Sequence, residues 1–304
     1  MNCHWALPAI GGRLSIVLLL AAEVALFPVY GSTAFPEQYV QVSVSSFDGL
    51  IRAAEGGDAE AQYELACAYE GGILARRDYG ESLKWFLRAA AKGHVHAQFS
   101  LGWKYLEGRG VAKDVAEAAR WYRKAALEGH ADAQYNLGVL HAEGRGVELD
   151  YAAAARWFRK AALEGHADAQ YNLGFFYYRG LGVPRDYAEA AAWYRRAALQ
   201  GDAGAQYNLG VIHAEGRGVG RDYAAAARWY RMAADQGLAE AQLSLGRMYS
   251  SGLGVPLDRI TAMQWYHRAA DSGLARAQDL LGTLFMEGGA MTAVDDASVS
   301  ERSR

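Results

Sequence analysis

Six of the eight tryptophans in this 304-residue chain stand 36 residues apart. A fixed period in this range is typical of stacked supersecondary units, none of which can bury its apolar face alone. The period therefore predicts one elongated repeat array rather than a single globular core. The six residues are Trp85, Trp121, Trp157, Trp193, Trp229 and Trp265.

The repeats can be written in register as six blocks of 36 residues that span 58–273 without a gap. Residues 36 apart are called equivalent below. A half unit begins at Phe47, and a partial seventh unit fades after Gly289. The segment EGHADAQYNLG occurs at 128–138 and again at 164–174, which indicates duplication of whole units. We predict a repeat domain over 47–289, a linker over 35–46 and a disordered tail over 290–304.

Within a unit the pattern predicts a helix A, a glycine-rich loop and a helix B. In the third unit, helix A covers about 131–143 and Gly144 ends it in left-handed conformation. Asp150 is the expected N-cap of helix B, which runs to about 164. Asp78, Asp114 and Asp186 are equivalent to Asp150, and each has Glu three residues on, the pattern of a capping box.

A glycine recurs in the middle of every helix A from the second unit onward, where it costs about 1 kcal/mol relative to alanine. A repeated cost implies a repeated gain, which we expect to be close approach of helix B through its paired alanines. The large tryptophan and the following Phe or Tyr are expected to fill the space between units. The glycines are Gly102, Gly138, Gly174, Gly210, Gly246 and Gly282.

The unit reads A-x-A-Q-Y-x-L-G-x-x-Y/H-x-x-G-x-G-V-x-x-D-x-x-x-A-x-x-W-Y/F-x-x-A-A-x-x-G. This pattern resembles the Sel1-like repeat, a relative of the tetratricopeptide repeat, over about 47–289. The resemblance implies an all-α fold, a right-handed α-solenoid of antiparallel helix pairs with the A helices on the concave face. It also implies a role in assembling protein complexes. In bacteria such proteins often serve envelope biogenesis, polysaccharide export, signalling or host interaction.

One branch of that family is rich in cysteine and has been linked to β-lactam binding or hydrolysis. This chain departs from that branch because it has only Cys3 and Cys67. We therefore do not carry the β-lactam activity over, and no Ser-His-Asp order, P-loop or metal-ligand spacing appears in the sequence. No cofactor or metal site is expected. His94, His130 and His166 open successive units and are expected to lie too far apart to share one metal ion.

The N-terminal region predicts export. Arg13 is followed by the apolar run Leu14–Ala22, and small residues end at Ala34. This order is typical of a secretory signal peptide over 1–34, which places the mature protein in the periplasm or outside the cell. The alternative is a membrane anchor formed by the uncleaved segment. After cleavage no membrane span is expected, and the net charge of −3 gives no basic footprint for nucleic acid.

We predict a non-enzymatic protein–protein interaction scaffold of the cell envelope that binds a protein or peptide in an aromatic groove. Alternatives are a carbohydrate-binding component of polysaccharide export and a β-lactam hydrolase. The groove is expected on the face of helix A that lies off its core stripe. Trp103, Phe175, Tyr178 and Arg179 depart from their equivalents there, so they are the strongest candidates. The full predicted site comprises Phe99, Trp103, Glu107, Tyr135, Glu143, Tyr171, Phe175, Tyr178, Arg179 and Tyr207.

Overall fold

The computed structural model describes residues 44–72 and 76–283. Within them the secondary structure is entirely helical, as predicted. A further helix runs from residue 275 to residue 283, the last that is described. The other helices are α1 Val44–Glu55, α2 Ala59–Gly71, α3 Tyr79–Ala91, α4 Val95–Glu107, α5 Val115–Leu127, α6 Ala131–Glu143, α7 Tyr151–Leu163, α8 Ala167–Arg179, α9 Tyr187–Leu199, α10 Ala203–Glu215, α11 Tyr223–Asp235, α12 Ala239–Ser251 and α13 Arg259–Asp271.

The bounds of α6 and α7 match those predicted for the third unit. Helix α1 begins at Val44 and so includes residues 44–46, which we had placed in the linker. The bounds of the repeat domain stay a prediction. The predicted signal peptide, the rest of the linker and the tail lie outside the described residues. Among the residues that are described, no helix is both long and apolar enough to cross a membrane.

The chain forms two compact units. The first ends at Phe176 and also takes in Gly180–Pro184, and the second comprises Tyr177–Arg179 and the chain from Arg185 onward. In the first unit α2 packs on α3, α4 on α5 and α6 on α7, and the pairs join through α3–α4 and α5–α6. In the second unit α10 packs on α11 and α12 on α13, joined through α9–α10 and α11–α12. This is an all-α solenoid of consecutive helix pairs; the handedness of its superhelix stays a prediction.

Four of the mid-helix glycines receive an aromatic ring from helix B; they are Gly102, Gly138, Gly210 and Gly246. A Cβ on Gly138 would lie 2.8 Å from Cδ1 of Phe158, and one on Gly102 would lie 2.5 Å from Cδ1 of Tyr122. The predicted close approach is therefore confirmed, but its partner differs from the one expected. The ring that follows the tryptophan occupies the space, because a flat side chain covers more of the neighbouring helix than alanine does.

The tryptophans connect neighbouring units, as expected. Trp121 packs against a cluster that spans the first and second units and contains Leu65 and Leu101. Trp157 packs in the same way against the cluster that includes Leu106 and Leu140. Trp121 and Trp157 therefore each cover apolar surface that belongs partly to the preceding unit, which is the origin of stability in a stacked array.

Aspartates cap the B helices as predicted, but the capping box does not form. The Asp114 side chain accepts from the N–H of Glu117 at 3.0 Å. The N–H of Asp114 itself donates to the carbonyl of Tyr105 at 2.8 Å, so no donor is left for the Glu117 carboxylate. That carboxylate instead accepts from Arg120 at 3.0 Å. Closure of the A–B loop onto helix A therefore replaces the reciprocal bond of a capping box.

One junction between units has a polar centre. Lys104, only 1% exposed, donates to the carboxylate of Glu70, and the Ser82 hydroxyl donates to the same carboxylate at 2.8 Å. Burial lowers the pKa of Lys104, although the bond to Glu70 opposes that shift. The equivalent residues one unit later are Leu106, Ala118 and Leu140, which share one apolar cluster. Three departures from the repeat therefore meet at one place, between the first and second units.

Candidate interaction surface

From the second unit to the sixth, the A–B loop comes close to the backbone of the preceding unit. Gly110 has φ +73°, and a Cβ on it would lie 2.5 Å from the carbonyl oxygen of Tyr79, the first residue of α3. No residue larger than glycine fits between the two backbones, and the positive φ also favours glycine. This contact places the side chain of the preceding residue, Arg109, over the start of α3.

In the first compact unit, the side chain of Arg109 packs against two aromatic rings. Its guanidinium lies 4.6 Å from the ring centre of Trp103 and 5.4 Å from that of Tyr79. Arg109 Nη1 also lies 3.5 Å from Oε1 of Glu70. Trp103 is partly exposed, whereas the equivalent Val139 is buried. The result is a cation held against a partly exposed indole, which is worth about 0.5–2 kcal/mol. We call Trp103, Tyr79 and Arg109 the first arginine cluster.

A second cluster of the same kind lies in the second compact unit. Arg217 Nη1 donates to the hydroxyl of Tyr178 at 2.7 Å, and the guanidinium lies 5.6 Å from the ring centre of Tyr187. The two tyrosine rings meet edge to face at 5.1 Å. Burial raises the pKa of Tyr178, and the negative charge of Glu215 adds to that shift. We call Tyr178, Tyr187 and Arg217 the second arginine cluster.

The structure places two of the predicted site residues in the core. Tyr135 is 1% exposed and stacks on His166 at 4.6 Å, and Phe99 is 5% exposed and stacks on His130 at 4.4 Å. The reason is that helix A of the middle units is enclosed on nearly all sides, so that Val139 and Ala142 are buried as well. A single core stripe on helix A was too narrow an interpretation, and we leave Phe99 and Tyr135 out of the candidate surface.

The other predicted residues keep some contact with solvent. Glu107 is exposed, and Glu143 is partly exposed with Oε2 2.8 Å from Nη1 of Arg145. Trp103 lies in the first arginine cluster and Tyr178 in the second. The remaining members are half-buried on α8 and α10, where Tyr207 meets the ring of Tyr230 at 5.6 Å. They are Tyr171, Phe175, Arg179 and Tyr207.

Tyr79 and Tyr187 were not among the predicted site residues. The first residue of helix B is a tyrosine in four of the six units, at Tyr79, Tyr151, Tyr187 and Tyr223. That recurrence, together with the arginine of the following loop, is the sequence signal that could have indicated the clusters. What the sequence does not supply is the backbone contact that brings the loop of one unit onto the helix of the unit before.

The histidines at the start of the units act as N-caps and also bond to side chains of the preceding unit. The N–H of Ala97 donates to His94 Nδ1 at 3.1 Å, so the ring proton of the neutral imidazole resides on Nε2. His94 Nε2 lies 3.0 Å from Oε2 of Glu60 in the preceding unit. Each of His94, His130 and His166 therefore caps the start of a helix and connects it to a residue of the preceding unit. Histidine is not among the preferred N-cap residues, so the sequence did not indicate this role.

His96 and His130 approach each other closely, with Nδ1 of His96 3.2 Å from Nε2 of His130. His130 Nδ1 accepts from the N–H of Ala133 at 3.4 Å, which leaves its proton on Nε2, pointing to His96. The contact is thus an N–H···N hydrogen bond. The described residues contain no group of three His, Cys, Asp or Glu side chains arranged to hold a metal ion.

The paired helices, the aromatic ring on a mid-helix glycine and the loop that reaches the preceding unit define an α-solenoid repeat protein. The Sel1 repeat matches six consecutive segments, 59–94, 95–130, 131–166, 167–202, 203–238 and 239–274. The chain therefore belongs to the Sel1 repeat family. The matched segments begin one residue later than the blocks read from the sequence.

Two solved structures support this assignment. A protective antigen of uropathogenic Escherichia coli strains with an SLR fold is 40% identical, with a TM-score of 0.75, over 82% of this chain. This chain spans only 53% of that protein's length. A Sel1 repeat protein from Oxalobacter formigenes is 34% identical, with a TM-score of 0.63, over 76% of this chain and 89% of its own. None of the curated proteins matches the chain.

Proposed function

We propose that this chain is a non-enzymatic scaffold that binds another protein, and that the first arginine cluster is a principal contact. Sel1 repeats generally mediate protein–protein interaction and are generally non-catalytic. The observation that carries the proposal is Trp103, a partly exposed indole under Arg109. The equivalent residues in the other five units are Cys67, Val139, Phe175, Val211 and Arg247. The fold accepts smaller side chains at this position, so the tryptophan serves a purpose outside the repeat.

Residue type and placement both fit a protein partner. Binding energy at interfaces is concentrated in a few Trp, Tyr and Arg residues, whose truncation costs about 2 kcal/mol or more. The first arginine cluster contains one of each. The second arginine cluster offers Tyr178, where two of the equivalent residues are Ala142 and Ala214. Each cluster is held in place before binding, which lowers the entropic cost of ordering side chains at an interface.

A cross-linking experiment tests the contact. A photoreactive amino acid at position 103 of the full chain, introduced in native cells, should capture one defined protein, and the same group at the exposed Ile260 should not. Trp103→Val, which installs the residue of the third unit, should then weaken binding of that purified partner about 30-fold. Trp121→Ala is the matched structural variant, because Trp121 packs on the preceding unit.

Two outcomes would reject the proposed contact. In the first, Trp103→Val binds the captured partner as tightly as the wild type does. In the second, Trp103→Val lowers the melting temperature as far as Trp121→Ala, whose loss of packing should cost about 3–5 kcal/mol. In that case Trp103 belongs to the core. Sustained nitrocefin hydrolysis by the purified chain would reject the non-enzymatic part of the proposal.

Export to the periplasm or beyond is part of the same proposal. It is supported by Arg13, the apolar run Leu14–Ala22 and the small residues that end at Ala34. We expect a mature N-terminus close to Phe35. N-terminal sequencing of the native protein tests this, and a sequence starting at Met1 from a soluble cytoplasmic fraction would contradict it.

A further inference from the structure

The two helix layers of the first compact unit carry opposite charge. Helices α3, α5 and α7 contain eight basic and two acidic residues. Their partners α2, α4 and α6 contain six acidic residues and one basic residue. The net charge of −3 conceals this separation, since the two layers nearly cancel. The B helices therefore present a positive face even though the chain as a whole is slightly negative.

Helices α5 and α7 present the same exposed stripe. On α5 it consists of Arg120, Arg123, Lys124 and Leu127, at spacing i, i+3, i+4 and i+7, which is one face of a helix. All four are exposed, Leu127 by 64%. Lys124 Nζ lies 3.9 Å from the ring centre of Trp121, so the ammonium group is held close to the helix.

The stripe on α7 is made of Arg156, Arg159, Lys160 and Leu163, and Leu163 is again 64% exposed. The two helices are neighbours, because Trp157 of α7 packs against the cluster that contains Ala118 and Tyr122 of α5. In the second compact unit, α9 carries Arg195, Arg196 and an equally exposed Leu199. A basic stripe that ends in an exposed leucine is thus a feature of successive units and not a scattered surface residue.

The fold does not need these leucines. Their equivalents in other units are Ala91, Asp235 and Asp271, and α3, α11 and α13 form with those residues in place. A large apolar side chain in water gains nothing for the stack. The leucines therefore indicate a surface outside this chain that is both anionic and apolar.

We propose that the stripes of α5 and α7, the basic–leucine face, bind an anionic phospholipid membrane surface. Basic residues near such a surface each gain about 1 kcal/mol from its negative potential, and exposed leucines enter the boundary between headgroups and acyl chains. Glu128 and Glu164 follow the leucines, so the face keeps an excess of positive charge but is not uniformly basic. A purely polyanionic partner such as nucleic acid would not use the leucines, and leucine is under-represented among protein hot spots.

Vesicle binding by the full chain tests this assignment. The chain is mixed with vesicles of phosphatidylcholine alone and of phosphatidylcholine with phosphatidylglycerol at about 2:1, and bound protein is measured by sedimentation. Binding to the anionic vesicles should exceed binding to the neutral ones and should fall as NaCl rises from about 50 to about 500 mM. Arg120→Gln/Arg123→Gln/Arg156→Gln should reduce this excess about ten-fold or more.

A second set of variants tests the leucines by replacing each of them with a residue that the chain has at an equivalent position. Leu127→Ala/Leu163→Ala, with alanine as at Ala91, should weaken partitioning onto anionic vesicles about ten-fold. Leu149→Ala is the matched control, since Leu149 is 54% exposed but lies before the N-terminus of α7, at the far end from Leu163. The run Leu14–Ala22 is the same in every variant, so differences between variants report on the basic–leucine face.

Three results would overturn the assignment. One is binding of the double leucine variant to anionic vesicles at wild-type strength. Another is an equal response to anionic and neutral vesicles at low salt. The third is binding of double-stranded DNA or poly-glutamate as tightly as anionic vesicles, unaffected by Leu127→Ala/Leu163→Ala. That last result would assign the face to a soluble polyanion. None of these results bears on Trp103, so the proposal stands or falls separately from the protein-binding function.

Discussion

The polar junction of Glu70, Ser82 and Lys104 allows a sharp test of how a buried ion pair acts in this array. Lys104→Leu leaves the Glu70 carboxylate without its ammonium partner, while the Ser82 hydroxyl and the more distant Arg109 remain. Removing one member of a buried ion pair costs about 3–5 kcal/mol. Because Glu70 keeps these two partners and its side chain is 18% exposed, we expect about 3 kcal/mol, the lower end of that range.

The matched variant copies the next junction of the same chain. Glu70→Leu/Ser82→Ala/Lys104→Leu installs the residues found at Leu106, Ala118 and Leu140, which pack together in one apolar cluster. Replacing a whole buried ion pair by well-packed apolar residues is neutral or stabilising by about 1–4 kcal/mol. The triple variant should therefore be at least as stable as the wild type, although it contains the substitution that destabilises the single variant.

Thermal unfolding and hydrogen exchange measure the difference. For a folded region of this size, a loss of about 3 kcal/mol lowers the melting temperature by about 6–12 °C. Because repeat arrays can unfold unit by unit, amide exchange in α2–α5 should report the same loss locally. A single variant as stable as the wild type, or a triple variant as unstable as the single one, would refute the reasoning.

Three further predictions concern buried groups. Burial lowers the pKa of His130 to about 4, so on acidification the unfolded chain binds this proton before the folded chain does. Stability is therefore lost as the pH falls from about 6.5 to 4, by up to about 3 kcal/mol. His130→Asn, which keeps an N-cap, should flatten this part of the dependence of unfolding free energy on pH, measured by urea titration. Glu240 is 5% exposed, and its carboxylate oxygens have no hydrogen-bond partner among the described residues. Burial raises its pKa to about 7, so stability is lost as the pH rises from about 4.5 through 7. Glu240→Gln should therefore raise the melting temperature at about pH 8 and leave it unchanged at about pH 4, and equal effects at both would contradict the assignment. Gly138→Ala should destabilise by about 1–3 kcal/mol in denaturant unfolding because its methyl group meets Phe158 at 2.8 Å. At Gly282 a methyl group would meet no atom of the described residues within 4 Å, so Gly282→Ala should be neutral or stabilising. The same loss in both variants would disprove the ring-on-glycine packing.

The repeat period predicted the fold closely because it constrains local and long-range structure together. Asp150 and Gly144 marked helix boundaries that the structure reproduces, since caps and left-handed glycines act within one turn. The capping box at Glu117 was wrong because a tertiary hydrogen bond, from Asp114 to the Tyr105 carbonyl, had already taken the donor. Local patterns thus gave the ends of helices but not the competition between their partners.

The candidate site was less predictable for a related reason. Tyr135 and Phe99 lie on the face of helix A that a single amphipathic stripe leaves open, but neighbouring helices and the cap histidines cover that face. How many neighbours a helix has is a tertiary property that its own sequence does not state. Comparison of equivalent residues was more informative. It singled out Trp103. The same comparison at Glu70, Ser82 and Lys104 would have indicated the polar junction.

The contact between Gly110 and Tyr79 has a consequence for how such an array changes length. Gly146 approaches the backbone of Val115 in the same way, since a Cβ on Gly146 would lie 2.5 Å from the Val115 carbonyl oxygen, so in both cases the loop meets main-chain atoms that every residue type shares. When a unit is inserted or deleted beyond the first junction, the units that become neighbours therefore meet through the same backbone surface, whatever their side chains. The exception is the junction that joins Glu70 to Lys104, which accepts only its own partner. Gene duplication can thus lengthen the array beyond that point without new compensating substitutions, while the order of the first two units stays fixed.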